Sequence, residues 1–174
     1  MAEGYPDLRY SARPSVEAAV SIAASPEVVF AVISDIDLPA RFSSEFQGAR
    51  WLDDADPVTA GSRFVGRNFH PAAGEWETTC TVVEFDPPTT FTYTVEGLDG
   101  DASSTWGFTV TPAGSGAVLK QWMQMGPGRS FINLAIESMP EKESRILNRR
   151  IREHKTNMEA NMVGIKELIE STTG

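Results

Sequence analysis

Between Ala49 and Met125 apolar and polar residues alternate with period two, and turn residues break the alternation at intervals. Downstream the period becomes helical. At about 100° of rotation per residue, Leu147, Ile151, His154, Met158, Met162, Ile165 and Ile169 fall within an arc of roughly 80°. The last third therefore reads as one long amphipathic helix whose apolar seam must bury itself against something.

The strands are bounded by readable punctuation. Val16, Ala18, Val20 and Ile22 form the apolar face of a first strand, and Ala49 to Asp53 is a short second one. Ser62 to His70 is a third, ended by Pro71-Ala72-Ala73-Gly74. Trp76, Thr78, Cys80 and Val82 mark a fourth that stops at Asp86-Pro87-Pro88, where a ladder cannot continue. Phe91, Tyr93 and Val95 alternate with Thr and Glu in the fifth. Trp106, Phe108 and Val110 give the inner face of the sixth. Ala117, Leu119, Gln121, Met123 and Met125 complete the seventh.

Ser25-Pro26-Glu27 has the cap, proline and acidic first turn of a helix start, predicting a helix to about Ser34. Asp37 is placed to cap a second short helix with Pro39 in its opening turn, ending near Ser43 or Ser44. After Gly126-Pro127-Gly128 a short helical segment is expected over 130–137. Ser138 and Glu141 have capping-box spacing and would open the long helix, which should reach about Glu170 with outward pairs Glu141–Arg145 and Lys166–Glu170. Residues 1–14 read as an extended or loosely ordered lead-in, followed by a single domain over 15–172.

One strand leaves its faces open. If Phe64 points inward, so do Asn68 and His70; a shift of one residue sends Val65 and Phe69 inward instead. His70 abuts Pro71 and a turn, so exposure is expected for it.

Composition narrows the function classes. The 174 residues carry 15 Lys and Arg against 24 Asp and Glu, a net charge of -9 that would repel nucleic acid and an anionic bilayer. Cys80 is the single cysteine, so an internal disulfide is impossible. No apolar stretch has the roughly 18–20 residues of a membrane span, and residues 1–13 do not resemble a signal peptide, so the expected location is the cytoplasm. Zinc-ligand spacing, HExxH and a GxSxG elbow are all absent from the sequence, and no metal or cofactor is expected.

A curved sheet closed over a helix makes a cavity. Trp76, Phe91, Tyr93, Trp106, Phe108, Gln121 and Met123 from the sheet, with Ile151, His154, Met158 and Met162 from the helix, are its candidate lining residues. Aromatic and methionine side chains suit large apolar ligands, and the alternative is that they fill a core. His154 breaks an otherwise aliphatic and methionine seam. Either it contacts a ligand or moves a proton, or a strand residue satisfies it, or it sits at the cleft mouth. A buried Gln121 needs partners from His154, a tyrosine hydroxyl, water or a ligand. Asn161, at the seam's edge, either orients a ligand or lies at the rim in water.

The order of strand, two helices, six strands and a long helix resembles the helix-grip fold of the START-like superfamily, in its polyketide cyclase/dehydrase-like (SRPBCC) branch. Local echoes are Ala24-Ser25-Pro26-Glu27-Val28-Val29-Phe30, Asp86-Pro87-Pro88, and Trp106-Gly107-Phe108 ahead of the Pro112 to Gly116 turn. Where that branch commonly carries a tryptophan after the second helix, this chain has Arg41-Phe42-Ser43. The resemblance implies an α+β fold, with a curved seven-stranded antiparallel sheet wrapped around the C-terminal helix. It also implies binding of a bulky hydrophobic small molecule such as a polyketide, lipid or isoprenoid, by a carrier or sensor. The sequence leaves monomer or homodimer open. The alternatives are a polyketide cyclase/dehydratase, for which His154 is the catalytic candidate, and a protein-interaction module related to chaperone-activator domains.

Overall fold

The computed structural model describes residues 6–172. Seven strands form one antiparallel sheet: β1 (Ser15–Ile22), β2 (Phe46–Trp51), β3 (Arg63–His70), β4 (Gly74–Asp86), β5 (Thr90–Glu96), β6 (Ala102–Ala113) and β7 (Gly116–Met125). Their order across the sheet is β1-β7-β6-β5-β4-β3-β2. Helix α1 (Pro26–Ile33) follows β1, α2 (Phe131–Ser138) follows β7, and the 30-residue α3 (Glu143–Thr172) packs across the concave face, closest to β1. The architecture is the expected helix grip. Among the described residues no helix is long and apolar enough to cross a membrane.

Register explains the concave face. Val82, Tyr93, Trp106, Met123 and Val16 stand opposite one another in one row across five strands, and Phe85, Phe91, Phe108, Gln121 and Ala18 in the next. A bulge between Val82 and Glu84 puts Phe85 back on the inner face after Val83 has turned outward. Facing these rows, Leu147, Met158, Met162, Ile165 and Ile169 of α3 are buried. Full burial of such side chains is worth roughly 1.5–3 kcal/mol each, so the seam anchors the helix.

The same helix closes an edge of the sheet. β1 is a terminal strand with outward carbonyls, and Lys155 and Lys166 of α3 donate to the carbonyls of Glu17 and Ser21. Glu170 accepts from the Ala23 amide at 2.9 Å while pairing with Lys166 at 2.8 Å. Charged groups on an edge discourage pairing with another chain.

Several boundaries differ from expectation for identifiable reasons. The second short helix is a single 3-10 turn over Leu38–Arg41, because Asp37 does not cap it; its Oδ1 accepts from the Ala49 amide at 2.8 Å instead. β2 starts at Phe46 rather than Ala49, and a register shift with Gly48 at φ 141° hides its alternation. Ser138 ends α2, its hydroxyl donating to the Ala135 carbonyl at 2.9 Å. Pro140 then opens a 3-10 turn, so α3 starts at Glu143 and the Ser138–Glu141 box is not used. Glu141 accordingly lies before α3, 3.9 Å from Lys142 rather than paired along the helix with Arg145.

The lead-in is ordered over residues 6–14, while residues 1–5 lie outside the described chain. The Tyr10 amide donates to Glu143 at 2.8 Å, its hydroxyl donates to the Gly128 carbonyl at 2.6 Å, and Asn148 donates to the Pro6 carbonyl at 2.9 Å. These bonds lash the segment to the start of α3.

Phe42 packs against α3 at Gly164, and a Cβ added there would run into its ring. Gly164→Ala should therefore destabilise the protein by about 1–2 kcal/mol, because overpacking outweighs the roughly 1 kcal/mol gained in helix propensity. Urea unfolding checks this, and Phe42→Leu in the same chain should reverse the sign.

Candidate functional site

The inner rows and the α3 seam bring most of the expected lining residues together. Phe91, Phe108, Gln121, Met123, His154, Met158 and Met162 are buried, and Tyr93, Trp106 and Ile151 are half-buried in the same interior. Trp76 stands apart near the β3–β4 turn, opposite Asn68, with no ring contact to the others among the described residues.

Phe64 settles the faces of β3. Its ring meets Tyr93 edge-on at 5.0 Å and Trp51 at 5.5 Å, and it is 3% exposed, so Phe64, Asn68 and His70 share the inner side. His70 is not exposed, contrary to expectation. The β3–β4 turn folds it against α3, where its Nε2 lies 3.3 Å from Glu153 and its Nδ1 accepts from the Ala72 amide at 3.1 Å.

Two polar stations interrupt the apolar interior. His154 is 8% exposed and meets Trp106 edge-on, ring centroids 5.2 Å apart, yet has no hydrogen-bond partner among the described residues. Burial, aided by the positive charge of Arg150, pushes its pKa well below the usual imidazole value. The ring is thus neutral at physiological pH, with one nitrogen donating and the other accepting.

Two helical turns further on, Asn161 Nδ2 donates to Gln121 Oε1 at 3.2 Å. Asn161 is only 4% exposed, not at a wet rim, because the inward row of β7 puts an amide opposite it rather than an aliphatic side chain. Its Oδ1 is buried without a partner. Gln121 thus finds its partner in Asn161, not in His154 or a tyrosine.

Other reactive groups are quiet. Burial pushes the Cys80 thiol up to about 12 and raises the Tyr93 hydroxyl above its ordinary value, so both stay protonated. Among the described residues no three His, Cys, Asp or Glu side chains converge as metal ligands would.

Two concavities stand out, and neither is the sheet–helix interior, which side chains fill. One of about 440 Å³ lies on the margin where β1 meets β7. The other, about 560 Å³, opens between the 44–45 loop, the 69–72 turn and the 149–157 flank of α3, lined by His70, Glu153 and Asn157 among others. A chain of polar contacts runs along this mouth. Arg150 forks onto both Glu45 oxygens and reaches Glu153 at 3.2 Å, and Glu153 in turn holds Arg149 at 3.0 Å and His70. Burial would raise the Glu153 carboxyl, but the bonds from Arg149 and Arg150 leave it below its ordinary value. Asn157 also accepts from the amide and hydroxyl of Ser44. These residues were not expected from the sequence; only the i,i+3 and i,i+4 spacing of Arg150 and Arg149 with Glu153 hints at them.

The family described as polyketide cyclase / dehydrase and lipid transport matches residues 13–155. The chain belongs to this family. Among solved structures it is similar to the Polyketide_cyc-like protein Cgl2372 of Corynebacterium glutamicum, at TM-score 0.62 and 24% identity over 91% of this chain and 93% of that one. It is similar to one half of the di-domain ARO/CYC StfQ of the steffimycin biosynthetic pathway, at TM-score 0.67 and 17% identity, covering 92% of this chain and 51% of StfQ. TTHA0849 of Thermus thermophilus gives TM-score 0.63 at 13% identity, over 92% of this chain and 100% of that one. No curated protein matches. In this polyketide cyclase/dehydrase member His154 falls inside the family match, whereas Met158, Asn161 and Met162 lie beyond it.

A histidine kept neutral by burial takes up a proton on unfolding, so its contribution to stability is fully present above the unfolded value near 6.5 and shrinks as pH falls toward its lower folded value. Denaturant unfolding should show stability dropping between pH 7 and 5, by up to about 1.4 kcal/mol per pH unit from this residue. His154→Gln should flatten that part of the profile.

Proposed function

We propose that this chain holds a bulky hydrophobic small molecule, polyketide, lipid or isoprenoid-like, between the sheet and α3 as a carrier or sensor. The observation that carries the reading is the buried, unpartnered Asn161 Oδ1, with His154 on the same helix face, in a surround of aromatic and methionine side chains. Buried polar groups are ordinarily satisfied, and an apolar ligand bearing a few polar atoms supplies both what the surround attracts and what the stations lack.

The interior is closed by Met123, Met158 and Met162, and methionine adapts its shape at small cost. Ligand would enter at the 560 Å³ mouth, where the Glu45–Arg150–Glu153–His70 chain links two loops to α3. Trp106, Tyr93 and Phe91 would give contact area, and His154 a polar contact of either sense. The family's description includes lipid transport, in keeping with this reading.

A second reading is cyclase/dehydratase activity, favoured by the neutral imidazole of His154, which can accept a proton from a bound chain and return it. The name of StfQ, ARO/CYC, agrees with such chemistry in this fold. The two readings separate on one variant. His154→Ala in a carrier should cost no more than about tenfold in affinity, the scale of one hydrogen bond; in a cyclase turnover should collapse while binding persists.

Native mass spectrometry of the purified protein should show a co-purified apolar adduct, or uptake of added naphthalene. A bare mass that takes up no naphthalene would overturn the container.

A further inference from the structure

Resting on that reading, we infer that the Asn161–Gln121 pair is a hydroxyl-reading subsite at the inner end of the sheet–helix interior. The argument is a count of hydrogen-bonding capacity. Two amides offer two carbonyl acceptors and two NH₂ donors. One contact joins them, Asn161 Nδ2 to Gln121 Oε1 at 3.2 Å. Asn161 Oδ1 is left buried without a partner, and Gln121 Nε2 makes no hydrogen bond to the described residues, although it is not fully enclosed as Oδ1 is.

What remains wholly unused is one acceptor atom and one donor atom, one on each member of the bonded pair. If both amides are turned over, Gln121 Nε2 donates to Asn161 Oδ1 and the remainder is again one donor and one acceptor, so the conclusion does not depend on which way each amide is drawn. A group that satisfies both must donate and accept through a single atom. A hydroxyl does this. A carbonyl or ether oxygen leaves the acceptor empty, and an ammonium would have to be desolvated where no carboxylate is buried among the described residues to meet it.

Position supports a subsite at a ligand's end. Asn161 lies two turns from His154, about 10 Å along the helix at 1.5 Å per residue, with Met158 between them and Met162 beside it. Displacing those two methionine side chains would open a slot whose far end is the amide pair. The ligand class is therefore an elongated apolar molecule with an alcohol or phenol hydroxyl at its leading end. A water molecule has the same hydrogen-bonding chemistry, so the test must tell ligand from solvent.

Equilibrium dialysis with 2-naphthol and 2-methoxynaphthalene does so, since the two share an aromatic frame and only the first can donate. The expected result is that the native protein binds 2-naphthol about five- to tenfold more tightly, and that the side-chain amide resonances of Asn161 and Gln121 shift on binding. The near-isosteric double variant Gln121→Met with Asn161→Leu should bind both probes equally. Equal affinities in the native protein would mean the pair holds only structural water, overturning the subsite while leaving the container intact. Binding of neither probe overturns both. The comparison on the native chain decides the matter even if the double variant does not fold.

Discussion

The burial of one helical seam on one curved sheet is the constraint from which the other features follow. α3 is 30 residues long with a narrow apolar stripe, and a stripe of that width is stable only against a concave partner. The sheet supplies it by turning the rows through Tyr93 and Phe91 toward the helix. Once α3 lies along β1, its flanking lysines reach the edge carbonyls and close a surface that would otherwise template aggregation. The N-terminal segment, Phe42 and the mouth loops are likewise fastened to the same helix, by Glu143, Gly164, and Arg150 with Asn157.

Against that background the polar interruptions stand out as costs. Leucine at 154 and 161, with methionine at 121, would continue the apolar pattern, and replacing paired buried polar groups by apolar ones of similar shape is often neutral or stabilising. His154 instead carries an imidazole with no hydrogen-bond partner among the described residues, and Asn161 a buried orphan carbonyl. Places where a sequence departs from its own folding logic are those where function is expected. His154 and Asn161 lie on the same face of one helix, which makes them two parts of one arrangement.

Much of this was legible because period and punctuation are local. The alternation of β7, Ala117 to Met125, is buried at every second residue as its pattern required, and Ser25 caps α1 through the Val28 amide. Features set by distant partners were not. Asp37 looks like a helix cap until Ala49 takes its carboxylate, and His70 looks exposed until a tight turn folds it onto Glu153. Asn161 sits at the edge of the helical arc, and only the register of β7 against β6 and β1 determines that Gln121 faces it. The Glu45–Arg150 pair joins positions 105 residues apart, beyond the reach of any spacing rule.

A filled interior and a binding function are compatible here because of what fills it. Ile165 and Ile169, fully buried toward the far end of α3, are β-branched and have few alternative rotamers, so that region is fixed core. Met123, Met158 and Met162, around His154 and Asn161, are unbranched with three rotatable bonds and a polarisable sulfur. The division runs along the helix: rigid packing where the fold must hold, and deformable packing where polar atoms lack partners. At the mouth the restraint is electrostatic rather than apolar. Arg150 bridges two carboxylates that would otherwise repel, so loosening the loops there breaks ion pairs that water can replace, without exposing core. A molecule entering by that route would meet movable side chains first and the immovable ones last.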